Sequence, residues 1–107
     1  MLTIPGTPEG REGIWLITPE TAVALIEALP GDEVHNVLGS GVFIGANWEK
    51  AHALKFLREP GKRLALVFAP NFTYRHQLVA LTDEKRWGFD VGEITEEQMV
   101  VEEVSHA

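Results

Sequence analysis

The chain has 107 residues, 45% of them apolar and 23% charged, which suits one domain around a single core and excludes both a second domain and intrinsic disorder over most of its length. It has no cysteine, so disulfides, thiolate metal sites and thiol nucleophiles are excluded. The net charge of −7 is concentrated at one end: from Gly88 onward there are six acidic residues and no Lys or Arg, against ten acidic and nine basic residues before it.

A phosphate backbone is gripped through a clustered basic footprint, which this chain lacks, so direct nucleic-acid binding is not expected. No apolar run approaches the ~20 residues of a membrane span, and the first residues lack a basic and then apolar leader pattern. A soluble, cytoplasmic protein without membrane contacts is expected.

Residues 1–13 form the first unit. Two prolines and three glycines fall among residues 5–13, a composition that predicts a flexible N-terminal arm. Residues 14–107 are then a single domain ending in an acidic tail. Residues 14–17 read as a short strand. Thr18 is a good helix N-cap, with Pro19 at the first helical position and Glu20 in the first turn, and Pro30-Gly31 closes the helix. Ala22, Leu25, Ile26 and Leu29 repeat at spacings of three and four, so they line one face able to cover a sheet.

Residues 33–38 read as a strand, 39–41 as a glycine turn and 42–44 as a returning strand. Asn47 is then placed to cap a second helix over 48–58, which stops before Pro60-Gly61. On that helix Ala51, Leu54 and Leu57 form an inward stripe. Trp48, His52 and Phe56, four residues apart, make a separate ridge: either a wide buried face or an exposed partner-binding surface, of which a homodimer contact is the sharper form.

Residues 63–69 are an almost continuous apolar run, as expected of a central strand. Residues 77–82 and 86–91 follow as two more strands, the last alternating Trp87, Phe89 and Val91 with polar or small residues. Short links between the three predict an antiparallel meander. From Thr95 a capping-box pattern predicts a short C-terminal helix, although Val100, Val101 and Val104 favour a strand. The expected fold class is α+β: a two-layer sandwich of a mainly antiparallel sheet with two helices on one face.

The chemistry is sparse. Gly39, Gly41 and Gly45 give GxGxxxG instead of the dinucleotide-binding GxGxxG, and no P-loop, GxSxG or HExxH motif is present. No metal site and no cofactor is expected, since none of the four histidines has a second ligand at metal spacing. Two surfaces could bind. One is the Trp48, His52 and Phe56 ridge; the other is the loop around Asn71, Phe72, Tyr74 and Arg75, where aromatics, an amide and a guanidinium gather at a sheet edge. The leading expectation is a non-enzymatic binding protein acting on a protein partner or on a second copy of itself. The alternative is a small hydrolase or phosphotransfer enzyme using His35 and His76, with Asp83 or Asp90 nearby and Asn71 or Arg75 steadying an anion.

The run ITPETAVALIEALPGDEVHN followed by VFIGANWEKAHALKFL resembles a pattern in small, uncharacterised accessory proteins of actinobacterial bacteriophages, covering about residues 17–94. Here Asn47 stands where that pattern has Asp. The resemblance implies an accessory role such as blocking a host enzyme, and it transfers no functional residue.

Overall fold

Three antiparallel strands form the centre of the sheet: β5 (Arg63–Phe68), β6 (His76–Leu81) and β7 (Arg86–Asp90), the meander that the short links predict. The computed structural model describes residues 4–8, 13–38, 46–68, 75–83, 85–94 and 99–101. Around the meander lie β1 (Ile4–Pro8), β2 (Ile14–Ile17), β3 (Glu33–Leu38), β4 (Asn47–Glu49) and β8 (Met99–Val101), in the order β4-β3-β7-β6-β5-β2-β1-β8. From β3 to β1 all six strands are antiparallel to their neighbours, and β4 extends that sheet at one edge in the same sense. At the other edge β8 runs parallel to β1.

Helix α1 (Pro19–Glu27) crosses from β2 to β3 and helix α2 (Lys50–Arg58) from β4 to β5, so both helices span the meander. One face of the sheet receives them. Leu64 pairs with Ala80 and Leu66 with Leu78, which in turn pairs with Phe89, so these alternate residues share a face. They join Ala22, Leu25 and Ile26 of α1 and Ala53 and Leu57 of α2 in one buried core. This is the two-layer α+β sandwich expected from the element order.

Thr18 caps α1 as the sequence indicates, its hydroxyl accepting from the Thr21 backbone N–H at 3.2 Å. Three local expectations need correction. Asn47 is not the cap of α2: it lies in β4, and the helix begins at Lys50 after Glu49, whose side chain makes no capping bond. An N-cap contributes about 1 kcal/mol. Pairing residues 47–49 with β3 instead lays Trp48 against the core, and burial of a large aromatic side chain is worth more.

The second correction concerns the arm. Residues 4–8 form β1, whose first half pairs with β8 and whose second half pairs with β2, and Ile4 is fully buried. One apolar anchor with partners on both sides outweighs the loop-like composition around it. The third concerns the C-terminus, where Met99–Val101 is a strand and not part of a helix; the β-branched pair Val100 and Val101 suits the ladder with β1. The turn and strand expected over 39–44 and the cap at Thr95 lie outside the described residues.

Gly13 is the position where only glycine fits. Its φ is +90°, and a Cβ there would stand 2.4 Å from the Phe68 carbonyl oxygen, while its own carbonyl accepts the Phe68 N–H at 2.6 Å.

Candidate functional site: an aromatic groove at the β4 edge

The edge strand β4 and the first turns of α2 build the site. Trp48 faces Val34 across the β3–β4 ladder and lies on the core side of the sheet. Its ring is the hub of a cluster, with centroids 5.0 Å from Phe89, 5.6 Å from both Phe56 and Trp87, and 4.8 Å from His52. The Phe56, Trp87 and Phe89 contacts are edge-to-face, the arrangement in which a positive ring edge meets a negative ring face. Trp48, Phe56 and Trp87 are only half-buried, because the cluster sits where the core meets solvent.

Beside it opens a groove of about 530 Å³ lined by Ala46, Asn47, Trp48, Glu49, His52 and Trp87. Its walls are aromatic, with the His52 imidazole at its side, while the Asn47 and Glu49 side chains alternate with Trp48 and so turn to the outer face of the sheet. Two backbone bonds hold the frame: Asn36 N–H donates to the Ala46 carbonyl at 2.9 Å and Lys50 N–H to the Asp32 carbonyl at 2.8 Å. On the outer face His35 Nδ1 donates to Asn47 Oδ1 at 2.9 Å, linking the same two strands.

Local charge is uneven. Glu33 and Glu49 stand directly opposite each other across the ladder, both exposed, an arrangement that like charges disfavour. Among the nearby cations, the Lys50 ammonium donates to the Leu29 carbonyl at the end of α1, and Arg58 pairs with Glu27 at 3.7 Å. The Lys62 ammonium lies 4.4 Å above the Phe56 ring, a cation–π contact on the aromatic cluster itself.

The sequence-predicted residues divide as follows. Trp48, His52 and Phe56 are brought together, but the ridge is not freely exposed: Trp48 and Phe56 pack on the core, and His52 alone is exposed, its ring against Trp48. His35 and His76 are not brought together. Asn36, Phe89 and Leu78 share the helix-covered face through their pairings, which places His76 on that face and His35 on the opposite one. Asp90 shares the face of His35, and its carboxylate already accepts the Gly92 N–H at 2.9 Å. Arg75 is exposed at the start of β6; Asn71, Phe72 and Tyr74 lie outside the described residues, as do Glu96, Glu97, Glu102 and Glu103 of the acidic tail.

His76 has a structural setting. Its ring is buried, stacks on Phe68 at 4.7 Å, and accepts the Ile94 N–H at Nδ1 over 3.4 Å. Burial pushes its pKa down, with Glu93 opposing and Arg75 adding to the shift, so the neutral ring with its proton on Nε2 is favoured.

Trp87, Glu49 and Ala46 escape the sequence reading. Trp87 is legible only as an inward-alternating strand residue, and nothing in the spacing shows that β7 ends beside α2. Among the described residues no cluster of three or more His, Asp or Glu is set to hold a metal ion, and no helix is long and apolar enough to cross a membrane.

Fold and groove together define an α+β sandwich with an aromatic cleft at one sheet edge. Comparisons with protein-family models, with curated proteins and with solved structures find no match.

Proposed function

We propose that this is a small non-enzymatic binding protein that works by protein contact, and that the groove beside Trp48 is its working surface. The observation that carries the reading is the groove itself: half-buried tryptophans with few, separated polar groups are the usual material of a recognition pocket for a side chain or short segment. The enzymatic reading has weaker support, since its two histidines face opposite sides of the sheet. An accessory role of the kind implied by the bacteriophage resemblance is compatible with such a surface.

The test is selection of a displayed random-peptide library on the wild-type protein and on Ala46→Trp, which fills the groove from its rim. The expected result is a consensus enriched on the wild type and lost on the variant, with the two proteins sharing one circular-dichroism spectrum. Recovery of the same peptides by both, or no consensus on the wild type, refutes the groove as the working surface. Sedimentation velocity on both proteins covers the other occupant: concentration-dependent dimerisation abolished by Ala46→Trp would assign the groove to a second copy.

A further inference from the structure

The geometry points to a partner that adds a strand to the sheet: an extended segment pairs antiparallel with the free edge of β4, places an aromatic side chain beside Trp48 in the groove, and places a lysine or arginine beside Glu49 on the opposite face. This rests on the reading of the groove as a protein-binding surface and adds the form and chemistry of what it binds.

Three observations converge. First, the edge of β4 is open. It is the terminal strand of the sheet order, paired with β3 on one side. The bonds from Asn36 N–H to the Ala46 carbonyl and from Lys50 N–H to the Asp32 carbonyl show that alternate residues Ala46, Trp48 and Lys50 aim their backbone groups at β3, so those of Asn47 and Glu49 point away from it. Both residues are exposed, and among the described residues none bonds to that outward side. The Glu49 carbonyl stands at the N-cap of α2 and serves the helix, which leaves the Asn47 N–H, the Asn47 carbonyl and the Glu49 N–H for three ladder bonds to a further strand. Second, the groove opens along this same edge. Asn47 and Glu49 line it although their side chains turn to the outer face, so its border there is the backbone of the strand. A residue added opposite Trp48 would carry its side chain on the face of Trp48, where a ring could meet the two indoles in the edge-to-face packing they already use with each other. Third, the outer face is acidic here. Glu33 and Glu49 stand opposite each other, and among the described residues no cation pairs with either. The added residue opposite Glu49 lies on their face, where opposite charges across a ladder attract.

The two faces together define a sequence. In an antiparallel segment the residue opposite Glu49 comes directly before the one opposite Trp48, so the expected pattern is a basic residue followed by an aromatic one. A parallel segment would reverse that order, and the antiparallel ladder is the stronger of the two and the one β4 already makes with β3. With three residues β4 is too short to hold a peptide by pairing alone, and its acidic face discourages chance pairing with another edge. The ring in the groove supplies the rest of the affinity, and the cation supplies the selection.

The experiment titrates the full-length protein with a capped threonine heptapeptide bearing lysine at its fourth position and phenylalanine at its fifth. Binding is read from backbone and indole N–H signals in ¹H–¹⁵N spectra. Trp15 is the internal control, because its Nε1 is buried in β2, away from the groove. The peptide should shift the Trp48 and Trp87 indoles and the Asn47 and Glu49 amides and leave the Trp15 indole in place. N-methylation then separates strand pairing from simple filling of the groove. In the antiparallel register the sixth residue of the peptide faces Asn47 and donates to its carbonyl, while the N–H of the fifth points away. Methylating the sixth nitrogen should weaken binding at least about tenfold, and methylating the fifth less than about twofold. Replacing the peptide lysine by glutamine should weaken binding about two- to fivefold on the wild type and make no difference on Glu49→Gln.

Equal losses from the two methylations, a greater loss at the fifth nitrogen, a lysine preference that survives Glu49→Gln, or no shift at Trp48 and Trp87 would overturn the inference. Dimerisation in sedimentation with the Asn47 and Glu49 amides protected from hydrogen exchange would overturn it too, by giving the edge to a second copy. None of these removes the broader reading, which stands if peptides are still selected on the wild type and lost on Ala46→Trp. Loss of that selection removes both.

Discussion

Asn36 offers a sharp test of the core. It is fully buried on the helix-covered face, paired in register with Phe89, and neither Oδ1 nor Nδ2 has a hydrogen-bond partner among the described residues. A buried polar group left without a partner costs about 1–3 kcal/mol. Leucine has the same branching at Cγ, so Asn36→Leu removes that cost while filling the site. The two methyls are bulkier than the amide atoms, and crowding a packed core gives back about 1 kcal/mol at the low end of the usual range. The net expectation is a gain of about 0–2 kcal/mol, or up to roughly 10 °C in thermal midpoint for a domain of this size. Urea unfolding should show a higher midpoint with an unchanged slope, because the surface exposed on unfolding hardly changes. Asn36→Asp supplies the opposite perturbation: it buries a carboxylate with no cation beside it and should lose several kcal/mol or raise the carboxyl pKa. If Asn36→Leu lost more than ~1 kcal/mol at constant slope, the amide would be held by a partner in solution and the reasoning would fail.

Two further predictions concern single residues. Burial lowers the His76 pKa in the folded state, so the unfolded chain binds the proton more readily. Stability should therefore be fully present above the ordinary value of 6.5 and fall as pH drops below it, and the difference in urea midpoint between wild type and His76→Gln should shrink as pH falls from 7.5 to 5. A constant difference across that range would mean that the ring has the same pKa in the folded and unfolded states, so that burial does not shift it. Gly13→Ala should destabilise by about 2–4 kcal/mol, because the strain of positive φ, about 1–3 kcal/mol, adds to a clash with the Phe68 carbonyl. Gly61→Ala, at φ +88° with open space around it, should show the strain alone, so equal losses at the two sites would rule out the close contact as a separate cost.

Local chemistry made several elements of this protein readable without coordinates. Thr18 and Pro19 start α1 because a hydroxyl acceptor and a missing N–H suit a helix N-terminus wherever it occurs, and the alternation of Trp87 and Phe89 with Gly88 and Asp90 follows from the two-residue period of a strand. Apolar runs joined by short links fixed the meander. The spacing of Trp48, His52 and Phe56 likewise brought out half of the aromatic cluster, since that step sets residues together on a helix and the strand-to-helix junction keeps them close.

What local chemistry cannot hold is a choice between two local structures that depends on a distant partner. Asn47 is a fair cap and a fair strand residue, and β3, about a dozen positions earlier, decides between them by pairing with it and laying Trp48 on the core. Ile4 and Val100 are strand residues only because each finds the other's strand across nearly the whole chain. The faces of His35 and His76 depend on how β3 registers against β7, a relation that no spacing in the sequence encodes. The groove belongs to the same class: Trp87 and Trp48 are far apart in the chain and meet only because the sheet order sets β7 beside β3 and β4 at the edge, where side-chain burial and ladder pairing, summed over the whole sheet, outweigh any local preference.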